Sequence, residues 1–338
     1  MGGPIEPNTR PLLDWVLALY PTTPKTRAKQ WILAGRVSVG GVILRRPHQP
    51  VSEPGDTLQL LDRRATTLEC GAGWQIHTRV ALVFLDAAFA IVNKGSGVLS
   101  VPAPNSGLSA LSIVADFLAG RLRARERGPA GWTLPPAYRQ LTPLPVHRLD
   151  QYTSGLLCLA FNPAARHHLI GQLQTHTMKR EYLAFAEGRA PAPRGTWHQW
   201  LELSQDELHQ HVRSHAPRNG SEAQEAITHY EVLAEYPVAG AKGYVTKLRL
   251  RLETGRKHQI RAQAASAGLP LVGDRTYHPE ARQSSGGSRL VAFPRQALHA
   301  ASLTLEHPDQ PGRQMTWSAA LPADLRQLEA SLRGGRSA

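Results

Sequence analysis

The chain has 338 residues, and 41% of them are hydrophobic, which is enough to build a substantial core and excludes a disordered protein. Lysine and arginine total 39 against 26 acidic residues, so the formal net charge of +13 favours a polyanionic partner. The two cysteines, Cys70 and Cys158, exclude a disulfide framework. With no secretory leader pattern and no stretch long enough to span a bilayer, we expect a cytoplasmic monomer without membrane or metal partners.

Residues 8–62 predict a small α/β module that is separated from the rest of the chain. Residues 10–20 and 22–36 form the predicted helices, because Pro24 suits the first helical position and Gly35 a helix end. Gly40-Gly41 marks a two-residue hairpin turn. The basic residues of the module are Lys25, Arg27, Lys29, Arg36, Arg45 and Arg46. This cluster indicates either an RNA-binding surface or simply a solvated face.

The remainder predicts a linker over residues 63–78 and one large domain over residues 79–330. Strand patterns dominate this domain, and three helix patterns interrupt them. Residues 80–97 predict a strand, a turn and a second strand, and the further predicted strands are 156–161, 180–188, 226–233, 244–254 and 297–308. The predicted helices are 108–122, 255–268 and 323–332. We therefore expect an α+β fold, with a mixed, largely antiparallel sheet and flanking helices.

The segment "PVHRLDQYTSGLLCLAF" places charged residues at the mouth of a buried strand. Asp150 can simply close a turn before that strand, but this does not explain Arg148 two residues earlier. A carboxylate held ionised by guanidinium groups at a groove is a candidate nucleophile or base. Arg261, at the edge of a helical alanine stripe, is either its partner or an arginine that snorkels to solvent.

The strand "KREYLAFAEG" carries a second candidate, Tyr182. In a strand, Tyr182 shares its face with Ala184 and Ala186, which leaves room around the ring. The ring is therefore suited to hold a flat guest such as a nucleobase, although a core tyrosine fits the same pattern.

Four segments in one order resemble the RluA-type family of RNA pseudouridine synthases: "HRLDQYTSG", "KREYLAFAEG", "LETGRKHQIRAQAASAGLPLVGDRTY" and "LHAASLTLEHP". The front module likewise resembles the S-four-type RNA-binding domain of a ribosomal small-subunit protein. The resemblance implies that Asp150 is the catalytic aspartate, Tyr182 the active-site tyrosine and Arg261 the partner of the aspartate. The expected substrate-binding residues are His147, Arg148, Thr153, Arg256, His258 and Gln259. Arg148 matches the residue that supports the flipped nucleotide in the family.

Three departures from the family pattern bear on substrate choice rather than on chemistry. Gln151-Tyr152 replaces a basic-acidic pair, Gly95 stands where proline is common, and Arg180 replaces a lysine. The implied reaction is the isomerisation of uridine to pseudouridine in ribosomal or transfer RNA, without cofactor or metal. The alternative is a non-catalytic RNA-binding or ribosome-assembly protein on the same fold.

Overall fold

A computed structural model describes residues 8–33, 35–54, 57–61, 68–103, 108–122, 134–204, 209–216, 222–238, 243–278 and 290–334. The α-helices of this part are α1 (Leu12–Leu19), α2 (Lys25–Leu33), α3 (Ala110–Leu118), α4 (Pro163–Gln174), α5 (Gln259–Ser266) and α6 (Ala323–Arg333), with a 3₁₀ helix at Pro136–Gln140. None of these helices is long and apolar enough to cross a membrane.

The N-terminal module consists of α1, α2 and five short strands. These strands are β1 (Thr9–Pro11), β2 (Val37–Val39), β3 (Val42–Leu44), β4 (Pro50–Ser52) and β5 (Leu58–Leu60). Strand β2 lies between β3 and β5, and the hairpin turns at Gly40-Gly41, where both residues have positive φ as the sequence predicts. The helices bury Leu12, Val16 and Ile32 in the small core of the module.

One basic residue of the module faces the large domain rather than solvent. The Arg45 guanidinium pairs with Asp309 and packs against Gly35. Gly35 itself approaches Ala87 of the large domain closely, because a Cβ at position 35 would lie 3.0 Å from that of Ala87. Arg45 therefore stabilises the contact between the two parts of the chain. It does not belong to the expected RNA-binding surface.

The large domain is built on a sheet of 12 strands. Its strands are β6 (Leu68–His77), β7 (Val80–Leu85), β8 (Phe89–Lys94), β9 (Leu144–Pro145), β10 (Ser154–Ala160), β11 (Lys179–Glu187), β12 (Arg194–Leu203), β13 (Gln210–Arg213), β14 (Gln224–Pro237), β15 (Tyr244–Leu252), β16 (Leu298–Glu306) and β17 (Gln314–Ser318). The main path runs β13-β12-β14-β15-β11-β16-β10-β8-β7-β6, and β9 and β17 pair with β10 and β16. The β10–β16 pair is parallel and the other pairs are antiparallel, which confirms the mixed, largely antiparallel sheet.

Helices cover both faces of this sheet. One face packs under α3 and α5, whose buried residues join a core cluster with Tyr182 and Leu250. The other face packs under α4 and α6, with Leu169 and Leu325 among the buried residues. The candidate site lies on the α5 side, where β10, β16 and β11 meet.

Several elements differ from the sequence predictions. Residues 68–77, predicted as part of a linker, form strand β6 at the sheet edge, where Trp74 packs edge-on against Phe117 with ring centroids 5.2 Å apart. The remainder of that linker, residues 63–67, lies outside the described residues. The helix predicted from residue 255 begins at Gln259, because residues before it form a hydrogen-bonded loop. Helix α4 and strands β12 and β17 were not predicted as elements.

Candidate active site

Asp150 lies in the turn that leads into the central strand β10. The backbone closes this turn, since the Thr153 amide donates to the Asp150 carbonyl at 3.1 Å. The carboxylate takes no part in that bond and points into a cleft of ≈520 Å³. The turn is therefore a backbone feature, and the side chain of Asp150 remains available for chemistry.

Arg261, on α5, holds the Asp150 carboxylate. Its Nη1 donates to Asp150 Oδ2 at 3.1 Å, which is the contact expected from the sequence. Its Nε and Nη2 donate to the two carboxylate oxygens of buried Asp274 at 2.7 and 3.0 Å. Burial opposes the charge on Arg261, but the bonds to Asp274 and Asp150 raise its pKa above the ordinary value. The bidentate pair fixes the plane of the guanidinium and aims the remaining nitrogen at Asp150.

His258 approaches the other carboxylate oxygen. Its Nε2 lies 3.9 Å from Asp150 Oδ1, and its Nδ1 lies 3.0 Å from the Tyr277 hydroxyl. Its backbone is left-handed, with a φ of 54°, which is uncommon for a residue with a side chain and turns the ring toward the cleft. Burial lowers the pKa of His258, so the ring is neutral near pH 7 and Arg261 is the cation that faces Asp150.

Two buried basic side chains, Lys94 and Arg295, donate hydrogen bonds to the backbone of the Asp150 turn. The Lys94 amine donates to the Gln151 carbonyl at 3.1 Å and to two further carbonyl oxygens of its own loop. Arg295 donates to the Tyr152 carbonyl at 3.1 Å. Because these bonds are made to backbone oxygens, they fix the turn whatever side chains stand at positions 151 and 152. The carboxylate is thereby presented on a rigid support.

Tyr182 forms part of the cleft floor and is 5% exposed. Its neighbours along the same face of β11, Ala184 and Ala186, are completely buried and small, as the alternation of the strand predicts. Burial raises the pKa of the Tyr182 hydroxyl, so the ring stays uncharged. The cleft can therefore receive a planar ring against Tyr182 with its edge toward Asp150.

The other predicted residues all line this cleft, but they differ in what they can contact. Arg148 and Arg256 are exposed on its rim, where they can meet phosphates. Thr153 and His147 lie in its wall. Gln259 differs from the prediction, because its amide oxygen accepts two hydrogen bonds and its amide nitrogen donates two, all within the protein. Gln259 therefore shapes the loop before α5 rather than contacting substrate.

Sequence reasoning missed Asp274, Lys94 and Arg295 as members of the site. The signal for Asp274 was available in "LVGDRTY", where an acidic residue follows a glycine with positive φ. Lys94 stands inside a buried strand pattern, and a lysine at such a position needs a specific partner. Nothing in the local sequence distinguishes Arg295, which pairs with Asp324 and whose partner in the turn, the Tyr152 carbonyl, lies 143 residues earlier.

The arrangement offers the Asp150 carboxylate beside a buried guanidinium, a neutral aromatic floor and arginines on the rim. A carboxylate placed this way can attack or deprotonate a sugar carbon, as carboxylates do in glycoside chemistry. Access requires that a base leave its helical stack, with phosphates held outside.

Two family models and several relatives match this chain. A family model described as RNA pseudouridylate synthase matches residues 88–266, and an S4 domain model matches residues 10–58. The chain is 32% identical over 333 residues to "Ribosomal large subunit pseudouridine synthase D" of Yersinia pestis, covering 95% of this chain and 90% of that protein. The protein of the same name in Escherichia coli (strain K12) is 32% identical over 327 residues, covering 94% and 89%.

The chain belongs to the RNA pseudouridine synthase family. Among solved structures, "Human RNA Pseudouridylate Synthase Domain Containing 4" matches with a TM-score of 0.52 and 20% identity, covering 77% of this chain and 93% of that one. That likeness supports the fold. Membership in an RNA isomerase family, together with the S4 domain, supports an RNA-binding enzyme that isomerises uridine rather than the non-catalytic alternative.

Proposed function

We propose that Asp150 is the catalytic carboxylate with which this pseudouridine synthase converts uridine to pseudouridine. The observation that carries the proposal is the 3.1 Å contact between Arg261 and Asp150 inside a cleft that also contains Tyr182. Arg261 orients the carboxylate, and it is itself fixed by Asp274. A group held this way can act without reorganisation when the substrate arrives.

The reaction breaks the bond from N1 of uracil to C1′ of the ribose and forms one from C5 to C1′. Asp150 either bonds to C1′ or removes the proton from C2′, and both routes need its ionised form. Tyr182 supports the uracil while it turns, since the ring must stay in the cleft between the two bonds. Arg148 and Arg256 on the rim hold phosphates on either side of the extruded nucleotide.

We further propose that the substrate is large-subunit ribosomal RNA, encountered in the cytoplasm. The relatives above are named for the ribosomal large subunit. The S4 domain match and the exposed basic residues of α2 favour a structured RNA. Transfer RNA is the alternative, and mapping pseudouridines in both RNAs with and without this protein distinguishes the two.

The test of the catalytic proposal is Asp150→Asn, which keeps the shape of the side chain and removes the charge. Release of tritium from C5-labelled uridine RNA should be abolished, while RNA binding should persist. Glu202→Gln is the matched control and should leave turnover intact, because Glu202 of β12 pairs with Arg213 of β13 and does not line the cleft. Appreciable turnover by Asp150→Asn would refute the assignment.

A further inference from the structure

A buried arginine in the cleft has no anionic partner within the described residues. Arg180 lies two residues before Tyr182 on β11, so both side chains project from the same face of the strand. Arg180 is 9% exposed and lines the cleft. The residue between them, Glu181, points to the opposite face, where it pairs with Arg249 and Arg251.

The hydrogen bonds of Arg180 leave most of its guanidinium unused. Its Nη2 donates to the Thr254 carbonyl at 3.1 Å. Its Nε is buried without a partner, and its Nη1 makes no hydrogen bond to any described residue. A Cβ at Gly255 would lie 2.7 Å from Nη1, so the absence of a side chain there makes room for the guanidinium. Burial lowers the pKa of Arg180.

A second unused donor lies nearby in the same wall. His147 accepts a hydrogen bond from the Cys158 amide at its Nε2, at 3.1 Å. Burial lowers the pKa of His147 to about 3, so the ring is neutral and its proton is on Nδ1. That Nδ1 has no partner among the described residues. A buried donor without an acceptor is costly, and a buried unpaired cation more so, unless a ligand completes them.

The missing partner must supply hydrogen-bond acceptors and carry negative charge that balances the guanidinium. Uracil presents two carbonyl oxygens, O2 and O4. When the N1–C1′ bond breaks, its electron pair stays on the ring, and the negative charge spreads over N1, O2 and O4. At C1′ the deficit is met by a bond to the Asp150 carboxylate or by loss of the C2′ proton to it. The C5–C1′ bond then forms with an electron pair from the ring, as the bond between Asp150 and C1′ breaks or as Asp150 returns the proton to C2′. The C5 proton is lost to water and N1 takes up a proton, so the product has the same composition as uridine.

We propose that Arg180 is a catalytic residue that contacts a uracil carbonyl oxygen and stabilises the ring anion between bond breaking and bond making. This inference rests on the proposed function and deepens it. Arg180 and Asp150 act on different parts of the nucleotide, because Asp150 reacts at the sugar and Arg180 binds the base. Its cation is buried beside Tyr182, where an electrostatic contact is stronger than it would be in water.

The test compares two substrates that differ in how well the base bears negative charge. Single-turnover rates of N1–C1′ cleavage are measured at saturating enzyme, by digestion and chromatography, for RNA with uridine or 5-fluorouridine at the target position. Fluorine withdraws electrons and stabilises the ring anion by itself. Arg180→Met should therefore slow cleavage about 10²-fold with uridine. The loss should be several-fold smaller with 5-fluorouridine, and the dissociation constant for RNA should change little.

Two further variants separate charge from packing. Arg180→Lys keeps the cation that stands at this position in the family pattern, and it should recover most of the rate. Arg251→Met, on the opposite face of the sheet and 64% exposed at its side chain, is the matched control and should behave as wild type. Since Met removes an uncompensated buried charge, Arg180→Met should unfold at the same Tm as wild type or higher.

The outcomes separate the two proposals. Wild-type protein that cleaves neither RNA would refute the proposed function itself. An active wild type with an equally fast Arg180→Met, or with equal losses on both substrates, would refute the role of Arg180 alone. If Arg180→Met does not fold, Arg180→Gln carries the same comparison, and a wild-type rate for it would again overturn the role of Arg180.

Discussion

Replacing Asp274 by asparagine should damage both the fold and the reaction. Asp274 is completely buried, and its Oδ1 also accepts hydrogen bonds from the amides of Thr276 and Tyr277, at 2.8 and 3.1 Å. Burial would raise the pKa of Asp274, but the bonds from Arg261 and these amides hold it below its ordinary value, so the group is charged. If the side-chain oxygen of the asparagine accepts the hydrogen bonds from these two amides, its NH₂ group faces the Nε of Arg261. Two hydrogen-bond donors then lie against each other without an acceptor.

The expected loss of stability follows from the burial of the pair formed by Asp274 and Arg261. Arg261 is 6% exposed, so loss of Asp274 leaves a buried cation with Asp150 as its remaining carboxylate. Removing one partner of such a pair costs about 3–5 kcal/mol of unfolding free energy. Asp116→Asn is the matched control, because Asp116 pairs with Arg121 at the surface, and it should change the free energy by less than about 0.5 kcal/mol.

Activity should fall as well, because the guanidinium loses the contact that aims Nη1 at Asp150. A displacement of about 1 Å in a catalytic group can cost about 10²-fold in rate. Stability is measured by urea unfolding, and activity by single-turnover tritium release at a temperature where the variant is folded. A variant that loses less than about 1 kcal/mol, or one that loses stability yet reacts at the wild-type rate, would refute the reasoning.

Three further predictions concern pH, packing and RNA affinity. Burial lowers the pKa of His299 from 6.5 to about 4, so the unfolded state binds the proton first as the pH falls. The free energy of unfolding should therefore fall by about 3 kcal/mol from this group between pH 6.5 and 4, and His299→Gln should show a shallower dependence in urea titrations across that range. Gly155→Ala should prevent stable folding, judged by circular dichroism, since its Cβ would lie 2.2 Å from the Ala300 carbonyl oxygen at a φ of +117°. Replacing the exposed basic residues of α2 by glutamine should reduce the slope of log K against log salt concentration for RNA binding by about 2–3. These residues are Lys25, Arg27 and Lys29. An unchanged slope would exclude them from phosphate contact.

The parts of the site that the sequence predicted share one property, which is that local pattern fixes the direction of the side chain. Tyr182 follows from the alternation of a strand, and Arg261 from its place beside an alanine stripe on a helix. Asp150 follows from charge at the mouth of a buried strand. Periodicity alone left a second interpretation open for Tyr182 and Arg261, and the family resemblance was needed to favour a role in the site.

The residues that were missed depend on contacts between segments far apart in the chain. Asp274 acts through Arg261, and Arg295 reaches a turn 143 residues earlier. The sequence of strand β6 resembles a linker because it contains glycines and lacks the apolar run of a central strand. Its hydrogen-bonded pairing with β7 is what makes it a strand. Helix α4 carried a usable signal, since Asn162 caps it and Pro163 begins it.

The departures from the family pattern near Asp150 make physical sense once the backbone contacts are considered. The amide of Gly95 donates to the Arg79 carbonyl at 2.6 Å, a bond that proline has no hydrogen to make. At positions 151 and 152 the support comes from carbonyl oxygens, which Lys94 and Arg295 bind, and the side chain of Tyr152 is 50% exposed. Side chains at both positions can therefore change without moving Asp150.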